Sequence, residues 1–263
     1  MSNDLILEDK ERLTKVESIL VSQPEPKDSN SPYFKLAEKY NLKIDFRPFI
    51  KIDPVDIKEF RKQKVNILDF TGVIFTSRNA VDHFFRLAAE SKVEIPTDMK
   101  YFCISEQTAN YLQKYIVIRK RKIFTGQRTA QDLFDILKKH KKEKLLYPCS
   151  DIRKNDIPNF LHENGFDYSE AVIYRTVPSD LSDLANVNYD IIAFYSPSGI
   201  NSLFENFPDF KQNKTRIAAF GPTTSKAVKE ADLILDIQAP MPNAPSMTGA
   251  LELYIRKANG LDK

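Results

Sequence analysis

The sequence predicts an α/β protein built from two similar parallel-sheet domains, and three observations predict it. Short apolar runs alternate with amphipathic helical stretches almost from end to end. The strand–helix pattern occurs twice at a nearly constant offset. Two β-branched and aromatic segments stand where the chain would have to pass from one copy to the other. Runs this short, each followed by a helix, describe parallel sheets covered on both faces, of the flavodoxin-like or Rossmann-like kind.

In chain order, strands are expected at Val16–Ser22, Val73–Ser77, Tyr101–Ser105, Arg121–Thr125, Lys144–Cys149, Ile191–Ser196, Arg216–Gly221 and Leu233–Ile237. Each is a run of branched or aromatic residues closed by Ser, Thr, Gly or Cys. The helices expected between them are Ser31–Tyr40, Ala80–Ser91, Gln107–Tyr115, Ala130–Lys142, Ile152–Asn164, Ile200–Phe207, Thr224–Glu230 and Ser246–Ala258, where apolar residues recur every three or four positions. The repeat aligns Val73–Phe84 with Ile192–Leu203, Tyr101–Ala109 with Ile217–Ser225, and Gln127–Leu137 with Pro245–Ile255, at offsets of 116 to 119 residues. The second copy lacks a first strand and helix, and the only spare pair is Val16–Ser22 with Ser31–Tyr40. The expected organisation is therefore one discontinuous domain, residues 1–46 plus 177–263, with residues 47–176 inserted as the other. Lys43–Ile50 and Ala171–Val177 would pair at the two crossings as a two-stranded β ladder.

Composition narrows the function. Among 263 residues, 39 Lys plus Arg stand against 36 Asp plus Glu, a net charge of +3 that argues against a nucleic-acid or membrane binder. With only 7 Gly, the chain contains no G-x-G-x-x-G, no phosphate-binding G-x-x-x-x-G-K and no G-x-S-x-G. His162-Glu163 opens like a zinc-protease motif, but Phe166 stands where the second ligand would be. Cys103 and Cys149 lie in strand patterns and read as buried thiols. His83, His140 and His162 fall in three different helical patterns and read as surface residues rather than a metal site. No apolar run approaches the roughly 18 residues of a membrane span. The polar N-terminus carries no signal-peptide pattern, so a cytoplasmic protein is expected, and a monomer because no apolar surface helix demands a partner.

In open parallel sheets, ligands bind at the carboxyl ends of the strands. Here those ends read Ser77-Arg78-Asn79, Ser105-Glu106-Gln107-Thr108, Thr125–Thr129, Ser150-Asp151, Ser196-Pro197-Ser198-Gly199, Gly221-Pro222-Thr223-Thr224 and Pro245–Thr248. They are rich in hydroxyls, and nearly all precede a helix. Each helix start leaves free N–H groups and about half a positive charge, which suits an anion. Ser and Thr are also ordinary helix caps, so a single loop says little, whereas seven together suit a ligand with several negative groups. The nearby cations are Arg78, Arg128, Arg153, Lys154 and Lys226. No carboxylate pair, Ser–His–Asp set or Cys–His set is visible.

Val73–Val81, Leu146–Arg153, Val172–Thr176, Phe194–Ile200 and Phe220–Thr224 together resemble the uroporphyrinogen-III synthase family. The resemblance runs from about Val16 to Ile255. It implies two α/β domains joined by a two-stranded ladder, with the active site between them. It also implies cyclisation of the linear tetrapyrrole hydroxymethylbilane, a polycarboxylate, with loss of water and inversion of ring D, and neither metal nor organic cofactor. The family's tyrosine falls on Tyr174, which the resemblance makes the catalytic residue. The same resemblance assigns substrate binding to Thr76, Ser77, Thr108, Ser196, Ser198, Thr223 and Thr224, and the strand ends and their nearby cations add Arg78, Ser105, Arg153 and Gly199 to the expected binding set. A transient contact with the preceding pathway enzyme is a further expectation. Where relatives commonly have a Gly-rich turn, this chain has Ser105-Glu106-Gln107, and Glu106 would repel a carboxylate arm. The basic stretches Arg119–Lys122 and Lys138–Lys144 read as solvated surface. Two other readings stay open: a non-catalytic ligand-sensing or regulatory module of the same fold, and a two-domain nucleotide-sugar transferase.

Overall fold

The computed structural model describes residues 12–117, 119–127 and 129–261. The chain divides into two compact units, Met1–Lys51 with Val177–Lys263, and Ile52–Thr176. The strands are β1 Ser18–Val21, β2 Lys43–Phe46, β3 Ile50–Pro54, β4 Gly72–Phe75, β5 Lys100–Cys103, β6 Ile123–Thr125, β7 Leu145–Ser150, β8 Tyr168–Pro178, β9 Ile191–Phe194, β10 Arg216–Phe220 and β11 Leu235–Ala239. The helices are α1 Pro32–Tyr40, α2 Ile57–Lys62, α3 Arg78–Glu90, α4 Glu106–Tyr111, α5 Ala130–Lys138, α6 Asp156–Glu163, α7 Pro197–Asn206, α8 Pro222–Glu230 and α9 Met247–Ala258. Among the described residues, no helix is long and apolar enough to cross a membrane.

The first unit holds a five-stranded parallel sheet in the order β11-β10-β9-β1-β2. The second holds a six-stranded sheet in the order β3-β8-β7-β4-β5-β6. Read from the same edge, β2-β1-β9-β10-β11 corresponds to β8-β7-β4-β5-β6. The strand pair that comes first in one unit comes last in the other, so the units are circular permutations of a single doubly wound plan. In each, strand order reverses at one place, between β1 and β9 or between β7 and β4.

Both faces of each sheet are covered, as parallel sheets require. In the first unit, Leu36, Leu251 and Tyr254 of α1 and α9 pack one face, and Ile200, Leu203 and Val228 of α7 and α8 pack the other. In the second, Phe60, Phe84 and Leu87 of α2 and α3 cover one face, and Leu133, Leu137 and Leu161 of α5 and α6 cover the other. Cys103 and Cys149 are both buried and free.

Three expectations change. Lys43–Ile50 is not one crossing strand. Asn41 ends α1 in the left-handed region (φ 51°), and Lys43–Phe46 then pairs in parallel with β1. Arg47 N still donates to Val21 O at 3.0 Å. Pro48 has no N–H and ends the ladder, so the strand that crosses between units is β3. It pairs with β8: Val55 N donates to Ile173 O at 3.2 Å and Ser179 N to Phe49 O at 2.9 Å, an antiparallel sense. Second, the helix expected from Ile152 begins at Asp156. Pro158 fits a first turn, where its N–H is not needed, but would break the ladder of a helix begun four residues earlier. Third, α2 was not expected; Asp56 caps it by accepting from Lys58 N (2.7 Å) and Glu59 N (2.8 Å).

Gly72 opens β4 where a Cβ would lie 2.9 Å from Phe102 Cε2 and 3.0 Å from Leu145 Cδ2. Gly72→Ala should therefore destabilise the second unit by about 1–3 kcal/mol. The measurement is urea unfolding, where an unchanged midpoint would contradict this packing.

Candidate active site

The second unit forms a recess at its β7/β4 reversal. The β4–β7 ladder ends at Val73↔Leu146. Leu145 N donates to Asp167 O on the β8 side, so alternation turns the backbone N of even-numbered residues toward β4. Pro148 offers no donor there, and the two strands part. A cavity of about 370 Å³ opens beyond, lined by Thr76, Tyr147, Ser150, Arg153, Lys154 and Tyr174, among others. Arg153 and Lys154 reach it because α6 starts late.

Tyr174 stands on β8 at a shift of register, since Cys149 faces Val172 but Ser150 faces Tyr174. Such bulges re-aim side chains next to sites. The ring is 7% exposed. Its Oη shares a 3.2 Å hydrogen bond with Ser77 Oγ, which also accepts from Ala80 N (3.1 Å) as the cap of α3. Burial pushes the phenol above its usual pKa; Ser77 partly offsets this, while Cys149 and Asp151 add to it. The group is protonated at neutral pH. Burial also pushes Tyr147 up to about 12 and the Cys149 thiol up to about 11, so neither is an anion there. Asp151 Oδ1 accepts from Ser150 Oγ (2.8 Å), Ile152 N (2.8 Å) and Thr176 N (3.1 Å), tying the loop to β8.

The other expected residues are placed as follows. Arg153 donates from Nε to Glu170 Oε2 at 2.6 Å, so its charge at the recess is already partnered. Arg78 is exposed, with its guanidinium 5.5 Å from the Tyr111 ring centre. Ser105 caps α4 by accepting from Thr108 N at 3.3 Å, and the buried Thr108 hydroxyl lies 3.3 Å from it. A separate shallow cavity beside them is lined by Ser105, Glu106 and Gln107, which puts a carboxylate on its wall. Arg128 lies outside the described residues. In the first unit, Ser196 caps α7 by accepting from Gly199 N (3.3 Å), and Ser198 is half-buried in the same turn. Gly199 is buried; a Cβ there would meet Phe194 Cδ1 at 3.3 Å. Gly221 precedes α8 at φ 85°, with Thr223 exposed and Thr224 buried in the first turn. Lys226 is exposed and pairs with Glu230 at 3.4 Å.

The structure thus gathers Thr76, Ser77, Arg153 and Tyr174 around one recess. Ser150 and Lys154, expected only as a strand end and a nearby cation, line it too, and Tyr147 and His83 join them without having been assigned to a site. Tyr147 lay in a noted segment, but only the parting of β7 from β4 puts it on the wall of the recess. The histidines differ from expectation. His162 is exposed, but His140 packs on Phe124 and Phe102 (4.2 and 5.2 Å between ring centres), and His83 stacks on Tyr174. A hydroxyl pair, Tyr33–Tyr195, marks the first unit, where a sequence separation of 162 residues hid it.

Two permuted doubly wound sheets, the second edged by the antiparallel β3–β8 pair and carrying a neutral phenol at its strand-order reversal, define a two-unit α/β protein with a candidate proton donor. The family profile of uroporphyrinogen-III synthase HemD matches residues 31–249. The uroporphyrinogen-III synthase of Saccharomyces cerevisiae is 27% identical over 80% of this chain and 87% of its own, and that of Chlorobaculum parvum 25% over 90% and 98%. Solved structures of the synthases from Helicobacter pylori (TM-score 0.60, 19% identity, 94% of this chain and 100% of that one) and Thermus thermophilus (0.57, 16%, 92% and 99%) share the fold. The chain belongs to the uroporphyrinogen-III synthase family. It is a lyase of heme and porphyrin biosynthesis with a tetrapyrrole substrate, a reading favoured over a regulatory module or a nucleotide-sugar transferase.

Tyr101, Tyr147, Tyr189 and Tyr254 are each pushed up to about 12 by burial. Unfolded tyrosine ionises near 10, so above that pH the unfolded chain binds fewer protons than the folded one. Stability should hold below about pH 10 and fall as pH rises through the window from about 10 to 12. Alkaline unfolding followed by circular dichroism checks this, and a stability flat to pH 12 would contradict it.

Proposed function

We propose that Tyr174 is the acid that helps the hydroxyl of hydroxymethylbilane depart, in the cyclisation that yields uroporphyrinogen III with loss of water and inversion of ring D. The observation that carries this is a buried, protonated phenol held by Ser77 at the reversal of a parallel sheet. Hydroxide is a poor leaving group. A phenol that donates as the C–O bond breaks lets it go as water and leaves an azafulvene cation. The terminal ring attacks to give a spiro intermediate, which fragments and recloses with the ring turned over. The proton lost from that ring at rearomatisation returns to the phenolate, so the cycle balances. A phenol is a weak acid, so its assistance is on the order of 10- to 100-fold.

For the substrate's carboxylates the second unit offers N–H groups at the starts of α3 and α4 with the hydroxyls of Thr76, Ser77, Ser105 and Thr108, and the first unit offers those of α7 and α8 with Ser196, Ser198, Thr223 and Thr224 and the backbone at Gly199. Arg78 adds charge nearby, and Arg153 would do so only on leaving Glu170. These roles are supported by the α/β plan, in which helix starts attract anions. Action as a cytoplasmic monomer that receives the bilane through transient contact with the enzyme that makes it belongs to the same proposal. What supports handover is the substrate's own chemistry, since the free bilane closes unrotated.

Freshly generated hydroxymethylbilane, incubated with the purified chain and oxidised, should give predominantly the type III porphyrin. Type I alone, at the spontaneous rate, rejects the reading. Tyr174→Phe should lower turnover at least about tenfold with an unchanged circular dichroism spectrum. Full turnover in that variant removes Tyr174 from the chemistry.

A further inference from the structure

Helix α3 carries a polar stripe beside its buried one. His83, Arg86 and Glu90 follow at spacings of three and four and share one face. That face meets β8. The His83 ring lies 5.3 Å from the Tyr174 ring, centre to centre, at 28° between planes. Arg86 Nε donates to His83 Nδ1 at 3.3 Å, while its Nη2 donates to Val55 O (2.8 Å) and Ile173 O (3.5 Å). Its Nη1 donates to both oxygens of Glu90, at 3.0 and 3.1 Å. A guanidinium can only donate, so Nδ1 is the bare nitrogen and the ring proton sits on Nε2. His83 is thereby a neutral flat plate, oriented by Arg86 and laid against the phenol ring.

We propose that His83 is the positioning residue for Tyr174: it confines the ring from one face so that Oη stays on Ser77 and is aimed into the recess. Arg86 orients the plate and also grips the carbonyl of the residue before Tyr174. One polar stripe therefore holds both the side chain and the backbone of the phenol. The proposal rests on Tyr174 being the proton donor of the reaction, and its test separates the two.

His83→Ala, His83→Phe and His83→Gln are each prepared alone and with Tyr174→Phe, in the full chain. Phe keeps the flat ring without the nitrogen, and Gln keeps an acceptor for Arg86 without the ring. Ring-labelled tyrosine identifies the Tyr174 resonance by its loss in Tyr174→Phe. The Tyr174 signal should shift and broaden in His83→Ala and return in His83→Phe. With Ala, kcat should fall on the order of three- to tenfold, the size of one aromatic stacking contact, with KM within about twofold. Phe should restore kcat, and Ala should cost nothing further where Tyr174 is already Phe. A Tyr174 signal indifferent to His83→Ala overturns the proposal, as does rescue by Gln but not Phe. If the signal behaves as expected while Tyr174→Phe retains full turnover, positioning by His83 is upheld and the acid role of Tyr174 falls.

Discussion

A parallel strand pair cannot be closed by a tight turn; each strand must be followed by a segment that carries the chain back before the next one starts. Here that segment is almost always a helix, and much else follows from it. Every helix in the sheets' crossovers begins at the carboxyl end of a strand, so Ser77, Ser105 and Ser196 become caps at that end of their unit. Their hydroxyls satisfy the first backbone donors, and the rest of each helix start stays available to an anion. The same constraint explains how one plan can be cut differently in the two units. Moving a strand–helix–strand segment from the end of the order to its beginning keeps its internal crossover and alters only where the chain enters and leaves.

A recess needs the sheet to come apart somewhere without leaving buried donors bare. At the β7/β4 reversal this is managed by composition. Pro148 brings no N–H to the side that loses its partner, and Ser150, Asp151 and Thr176 satisfy one another across the loop. What remains facing the space is mostly hydroxyl and phenol. Burial works in one direction on these groups, keeping Tyr147, Cys149 and Tyr174 in their neutral forms. Arg153, the strongest cation at the rim, is already balanced by Glu170. Such a place is suited to giving a hydrogen bond to a departing oxygen and poorly suited to nucleophilic attack, which would require thiolate or phenolate.

The amino-acid order alone determined the α/β class, the two-fold repeat, the strands from β4 to β11 to within a few residues, and the segment bearing Tyr174. These are local signals: apolar runs of strand length, amphipathic spacing, and hydroxyl caps at the junctions. They survive because each is decided by neighbours in the chain. The departures arose where a distant partner decides. Lys43–Ile50 has the composition of one strand, yet β1 claims its first half and Pro48 cuts it. Tyr147 looks like any strand residue until β7 leaves β4. His83 sits in an amphipathic helix like other half-buried residues, and only its packing against a strand some ninety residues later joins it to Tyr174. Sequence carries hydrophobic period and capping chemistry, because both act over a turn or two. Register, the parting of strands and the stacking of rings depend on which surfaces meet, and that is settled only when the whole chain has packed.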